Sequence, residues 1–80
     1  MLRGPYSSGY AALREQLVAA RKAAGLTQVE VAKGIGRSQS FVAKYELGER
    51  RLDVIEFVLV CQFLGVDSSN VLQTLQRRLS

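Results

Sequence analysis

The side chains best suited to chemistry lie in one short stretch of the sequence, SQSFVAKYELGERR at residues 38–51. Gln39, Ser40 and Lys44 carry an amide, a hydroxyl and an ammonium group, and Phe41 adds an aromatic ring. Amides and hydroxyls donate and accept hydrogen bonds, whereas an ammonium group only donates them. Arginines flank this group on both sides, at Arg37, Arg50 and Arg51. The combination favours non-covalent recognition of a polar, negatively charged partner.

The sequence offers little for covalent or metal chemistry. It has no histidine, so the commonest general base is absent, and neither the single cysteine, Cys61, nor any serine has a visible activating partner. One cysteine cannot form an internal disulfide, and the usual zinc sites need more cysteine or histidine. We therefore expect no catalytic residues, no metal site and no cofactor. Cys61 is expected to fill space in the core.

Length and charge limit the class of protein. Eighty residues suffice for one small domain, and eleven Lys and Arg against seven Asp and Glu give a net charge of +4. A positive charge favours a polyanionic partner. No apolar run reaches the roughly 18 residues of a membrane span, and MLRGPYSSGY lacks the apolar core of a secretory signal. We expect a cytoplasmic protein with no membrane contact.

Five short helices must position these side chains, and no strand signal interrupts them. Capping residues and glycines set the predicted bounds. Ser8 caps a first helix from Tyr10 to Ala24, and Thr27 begins a capping box with Glu30. The other predicted helices run over about 28–35, 39–47 and 54–64, and Asp67 or Ser68 opens a fifth helix that runs to about Leu79. Residues 1–9 are predicted to be a flexible arm that precedes a domain at 10–80.

The second and third helices, joined by a tight turn, predict a helix-turn-helix at about 27–47. The segment LTQVEVAKGIGRSQSFVAKYELGER closely resembles the helix-turn-helix of the Cro and phage-repressor family, also called the xenobiotic-response-element family. The resemblance extends over about residues 21–66 and implies an all-α, compact five-helix, phage-repressor-like DNA-binding domain. It also implies a partly buried ion pair between Arg21 and Glu46 and packing positions at Val31, Ala32, Ile35, Val42 and Tyr45.

The same resemblance implies which residues contact double-stranded DNA. Gln28, at the start of the second helix, would hold a phosphate. Gln39 would bond to an adenine, and Phe41 would lie against a thymine methyl group. The full predicted set is Thr27, Gln28, Arg37, Ser38, Gln39, Ser40, Phe41, Lys44, Arg50 and Arg51. Several of these residues also have a purely structural explanation. Gln28 and Ser38 would start helices, Phe41 would pack in the core, and Arg50 and Arg51 would lie in a solvated loop.

The fourth helix, VIEFVLVCQFLG, is apolar on two sides, although a surface helix usually shows one apolar stripe. One face contains Val54, Phe57, Val58, Val60, Cys61 and Leu64, and the second contains Ile55, Leu59 and Phe63. We expect the second face to meet another copy of the chain across a two-fold axis, with Leu52 and Leu47 beside it. The alternative is that helix five, or the arm through Tyr6 and Tyr10, covers this face within one chain.

Together these features predict a sequence-specific transcriptional regulator that binds double-stranded DNA. We expect a homodimeric repressor that reads a palindromic operator through the major groove. The alternative is an antitoxin or protein-interaction module whose apolar face on helix four binds a partner protein.

Overall fold

The chain folds into five α-helices in a computed structural model that describes residues 5–79. The helices are α1 (Pro5–Ala23), α2 (Gln28–Ile35), α3 (Gln39–Leu47), α4 (Val54–Leu64) and α5 (Ser68–Leu79). The described residues contain no strand, so the predicted all-α class is confirmed. Within the same range, no single helix combines the length and the apolarity that crossing a membrane requires.

Capping boxes set the starts of α2 and α4. The Thr27 hydroxyl accepts a hydrogen bond from the Glu30 amide, and the Glu30 carboxylate accepts one from the Thr27 amide. Asp53 and Glu56 form the same reciprocal pair at the start of α4. Because each pair satisfies two backbone donors that have no partner inside the helix, the bounds predicted for α2 and α4 are confirmed.

Helix α1 begins at Pro5, so the predicted start at Tyr10 and the predicted arm at 1–9 are wrong over residues 5–9. Ser8 lies inside the helix instead of capping it. Gly9 is buried, and a β-carbon built there would lie 3.0 Å from Leu79 Cδ2. Packing of α5 on this glycine therefore outweighs its low helix propensity, and proline is favourable as a first helical residue. The rest of the predicted arm, residues 1–4, lies outside the described residues.

The core lies where α1, α2, α3 and α4 meet. Its largest fully buried side chains are Tyr45, Leu17, Val31, Val42, Val60 and Cys61. Ala32 is 3% exposed, and its small side chain lets α2 and α3 cross closely. Cys61 fills space as predicted, and burial raises the pKa of its thiol. Ile35, the remaining predicted packing position, lies partly buried at the edge of this core.

Gly34, in the last turn of α2, has a structural explanation that the sequence did not provide. A β-carbon at this position would overlap the ring of Phe63 on α4. The missing side chain therefore lets the ring lie directly on the α2 backbone. Because an aromatic ring buries a large apolar area, this contact offsets the roughly 1 kcal/mol that glycine costs inside a helix.

Candidate nucleic-acid interface

The turn between α2 and α3 holds the two helices of the predicted helix-turn-helix. Gly36 ends α2 in the left-handed region, with φ of 70°, which a residue with a side chain rarely adopts. Two residues later the Ser38 hydroxyl caps α3 by accepting a hydrogen bond from the Phe41 amide at 3.2 Å. Ser38 therefore has at least the structural role that its residue type predicts.

The side chains of Gln39, Ser40 and Lys44 are exposed on α3. We call these three residues the reading face. Gln39 and Ser40 lie in the first turn of the helix and Lys44 lies one turn later, as the helix-turn-helix resemblance implied. Their polar groups are therefore free of the core and open to a partner in solution.

A chain of hydrogen bonds joins the reading face to the ion pair that the resemblance implied. Arg21 donates through Nε and Nη2 to the two carboxylate oxygens of Glu46, at 2.7 and 3.1 Å. Gln28 donates to Glu46 Oε1 at 2.8 Å, and its own Oε1 accepts a hydrogen bond from Gln39 at 2.8 Å. Gln39 is thus held by Gln28 of α2, which is itself bonded to Glu46 and through it to Arg21 of α1.

The ion pair itself is largely buried. The side chains of Arg21 and Glu46 are 13% and 7% exposed, and Arg21 also donates to the Leu26 carbonyl at 2.9 Å. Its hydrogen bond to Glu46 raises the pKa of Arg21. Helices α1 and α2 therefore both donate to one carboxylate on α3, through Arg21 and Gln28.

Phe41 is buried, at 8% exposure, and belongs to the core. Its predicted contact with a thymine methyl group is therefore not supported, and the structural alternative for this residue fits better. Two guanidinium groups cover the ring, with Arg37 Cζ at 4.9 Å and Arg50 Cζ at 4.6 Å from its centroid. Phe41 thus positions cations beside the reading face instead of joining it.

Glu56 binds both of those arginines and was not among the predicted site residues. Its Oε1 accepts from Arg50 Nη1 at 2.8 Å and its Oε2 from Arg50 Nη2 at 2.9 Å, while Arg37 Nη2 lies 3.1 Å from Oε2. The Arg50 hydrogen bonds, together with the Asp53 amide, lower the pKa of Glu56 to about 2. Its place as the third residue of α4 in a capping box was readable from the sequence, but its arginine partners were not.

Two further basic side chains lie near the end of α3. Arg51 is exposed, and its guanidinium carbon lies 4.5 Å from the centroid of the Tyr10 ring. Arg14 of α1, which was not predicted as a site residue, lies over the C-terminal turn of α3, because a β-carbon at Gly48 would be 2.8 Å from its Cζ. A positive charge at this end of a helix is favourable, since the backbone carbonyls concentrate negative charge there.

The residues predicted to form a dimer interface do not lie in one uniform environment. Ile55 and Leu59 are 68% and 42% exposed, while the Phe63 ring lies on Gly34. Leu52 instead lines an apolar groove of about 480 Å³ between α1, α4 and α5, and Tyr10 lines the same groove. Helix α5 packs mainly on α1 and leaves Ile55 and Leu59 exposed. The Tyr6 side chain lies outside the part of the chain whose side chains are described.

Comparisons with known proteins agree with this geometry. A family model described as helix-turn-helix matches residues 17–69. An XRE-family like protein from Pseudomonas syringae pv. tomato str. DC3000 is 47% identical, with a TM-score of 0.89 over 94% of this chain and 92% of that chain. Comparison with curated proteins found no match to this chain.

The fold also recurs at lower identity. Two structures of the clp gene regulator ClgR from Corynebacterium glutamicum are each 24% identical to this chain. Their TM-scores are 0.78 and 0.77, over 89% and 90% of this chain and 76% and 92% of the respective ClgR chains. At that identity the likeness concerns the fold alone.

Proposed function

The chain belongs to the XRE family of helix-turn-helix DNA-binding transcriptional regulators, and we propose that it is a homodimeric repressor that reads a palindromic operator through the major groove. The observation that carries this proposal is the exposure of Gln39, Ser40 and Lys44 together on α3. A helix fits the major groove, where amide and hydroxyl groups can distinguish base pairs by their hydrogen-bond patterns.

Each part of the interface has a distinct role in this proposal. Gln39 reads a base, and a bidentate pair with adenine contributes about 1–3 kcal/mol of discrimination. Thr27 and Gln28, at the start of α2, hold a phosphate against the free amides of that helix end. The cations Arg37, Lys44, Arg50 and Arg51 contact the backbone phosphates, and this contribution weakens with salt. Ser38 caps α3 and Ser40 lies in its first turn, and both add hydrogen bonds there.

Two copies of the chain would read the two halves of the operator. Ile55 and Leu59 form an exposed apolar patch at 68% and 42% exposure, and burying such a patch against its own copy removes apolar surface from water. Two-fold symmetry then places the two α3 helices in successive major grooves, about 34 Å apart. Occupying promoter DNA in the cytoplasm blocks access of the polymerase.

Selection of bound sequences from a random duplex pool tests the reading of DNA. The wild-type chain is expected to enrich a palindromic site. Gln39→Ala should relax preference at one position of each half-site, whereas Arg51→Ala should weaken binding to all sequences alike. Gln73→Ala, an exposed amide on α5, is the matched control and should change neither property. A pool that shows no enrichment after repeated rounds would contradict the proposal.

Analytical ultracentrifugation tests the dimer. Leu59→Glu should give a folded monomer with poor operator affinity, because a charge in a buried apolar contact is costly. Leu72→Glu is the comparison variant, since Leu72 is 48% exposed but lines the groove between α1, α4 and α5. If Leu72→Glu dissociates the dimer and Leu59→Glu does not, the interface lies at the groove.

The exposed patch on α4 also supports a second function, in which the protein is an antitoxin or interaction module that binds a partner protein. Val54, the residue before Ile55, is also exposed, at 75%. As a pure interaction module the wild-type chain would be a monomer whose DNA binding is weak and unselective, whereas an antitoxin would combine DNA binding with partner binding. A repressor and a pure interaction module therefore differ in the preference for operator over random duplex, which should be at least about 10³-fold for a repressor.

A further inference from the structure

We propose that Glu56 is a positioning residue that raises the DNA specificity of the protein by holding Arg37 and Arg50 in fixed orientations at the two ends of α3. This inference rests on the proposed function as a reader of operator DNA. A buried carboxylate on α4 thereby affects a surface that α3 and its flanking loops form.

The geometry around Glu56 fixes both arginines. The carboxylate is 5% exposed and accepts two parallel hydrogen bonds from Arg50, one ion-pair contact from Arg37 and one hydrogen bond from the Asp53 amide. A bidentate guanidinium–carboxylate pair restrains orientation as well as distance. The Phe41 ring supports both guanidinium groups, at 4.9 and 4.6 Å from its centroid. Each arginine is therefore restrained by a charge and by an aromatic face.

The two arginines flank the reading face. Arg37 immediately precedes the N-cap of α3, Ser38, and Arg50 lies two residues after its C-cap, Gly48. Their side chains remain 46% and 41% exposed, so part of each guanidinium group can still meet a phosphate. A long side chain that is already ordered loses less conformational entropy when it binds. Fixed arginines at both ends of α3 thus favour one register of the helix in the groove.

The negative charge of Glu56 has an opposite effect on unselective binding. Non-specific association depends on net positive charge near the phosphates and little on orientation. A carboxylate between two arginines reduces that local charge. Glu56 should therefore strengthen binding in the correct register and weaken binding in all others, and both effects raise the ratio of specific to non-specific affinity.

Glu56→Gln in the full chain tests this inference. Glutamine keeps the acceptor for the Asp53 amide, as capping boxes accept either residue, but loses the charge. We expect the ratio of operator to random-duplex affinity to fall on the order of tenfold. Random-duplex affinity should stay constant or rise, and its dependence on salt should become steeper by about one phosphate contact. Fluorescence anisotropy with duplexes of equal length, at several salt concentrations, measures all three.

Glu30→Gln is the matched control, because Glu30 holds the same capping-box position in α2 but lies in no ion pair of the described residues. It should leave the affinity ratio unchanged. An unchanged ratio in Glu56→Gln, or equal losses for both duplexes, would overturn the inference. If Glu56→Gln does not fold, Arg50→Lys tests the same inference. Lysine keeps the positive charge but lacks the planar guanidinium group, so affinity for the operator should fall while affinity for random duplex does not. A wild-type chain with no operator preference would instead refute the proposed function.

Discussion

Replacing Arg21 by methionine removes the positive charge from a buried carboxylate while keeping most of the apolar stem. In the native chain Arg21 contacts both oxygens of Glu46, and the two side chains are 13% and 7% exposed. After the substitution, Glu46 keeps the hydrogen bond from Gln28 at 2.8 Å but has lost its only ion-pair partner among the described residues. The expected result is a folded but much less stable protein.

The size of the loss follows from the burial of the carboxylate. Removing one partner of a buried ion pair costs about 3–5 kcal/mol. The lower figure, about 3 kcal/mol, applies here because Gln28 still donates to Glu46 and both side chains reach the surface. A domain of this size has a total stability of about 4–12 kcal/mol. For so small a domain, a loss of about 3 kcal/mol lowers the melting temperature by about 12 °C or more.

Urea unfolding followed by circular dichroism measures this loss directly. Lys22→Met is the matched control, since it removes a basic residue from the next position in α1, where the side chain is exposed. Its cost should be within about 0.5 kcal/mol of zero. The double variant Arg21→Met/Glu46→Leu removes the stranded charge as well, so it should be more stable than Arg21→Met alone.

An Arg21→Met loss no larger than that of Lys22→Met would refute the reasoning, because Glu46 would then have enough water around it to remain charged without a partner. A double variant less stable than Arg21→Met would also refute it. That result would mean that the hydrogen bond from Gln28 to Glu46, and not the charge pair, supplies most of the stabilisation.

Three further predictions concern single contacts. Gly34→Ala should destabilise the wild-type chain, because the new β-carbon displaces the Phe63 ring, but should stabilise a Phe63→Ala background by about 1 kcal/mol in thermal melts. Tyr45→Phe should be neutral or stabilising by up to about 1 kcal/mol, since the buried Tyr45 hydroxyl has no partner among the described residues and burial raises its pKa to about 12. The Glu56 carboxylate, whose pKa is lowered from 4.5 to about 2, stabilises the fold fully above pH 4.5, and this contribution is lost as the pH falls through 2. Glu56→Gln should therefore make the melting temperature depend less on pH over that range.

The elements that the sequence predicted well are those specified by neighbouring residues. Capping pairs three residues apart and glycines just beyond helix ends gave the bounds of α2, α3 and α4. Local propensity failed at α1, where the buried Gly9 packs beside Leu79, seventy positions away. It also offered no reason for Gly34, whose partner Phe63 lies two helices further along the chain.

The sequence likewise predicted some features of the candidate site and missed others. The exposure of Gln39, Ser40 and Lys44 follows from their polarity and their place in the motif. The burial of Phe41 does not, because an aromatic residue in the first turn of α3 could face either side. Glu56 also binds two guanidinium groups that come from separate loops and lie over the ring. Such a network joins three regions of the chain and has no local signature.

Helix α3 has only nine residues, and a helix this short is not stable alone in water. The orientation of its reading face therefore depends on the contacts that hold α3 to the other helices. Glu46 ties Gln39, through Gln28, to α1, whereas Glu56 ties both flanking arginines to α4. In the proposed dimer α4 also carries the interface, since Ile55 precedes Glu56 and Leu59 follows one turn later. One rigid helix then fixes both the spacing between two reading faces and the arginines that set their register, so a Leu59→Glu monomer should lose operator preference more than it loses non-specific affinity.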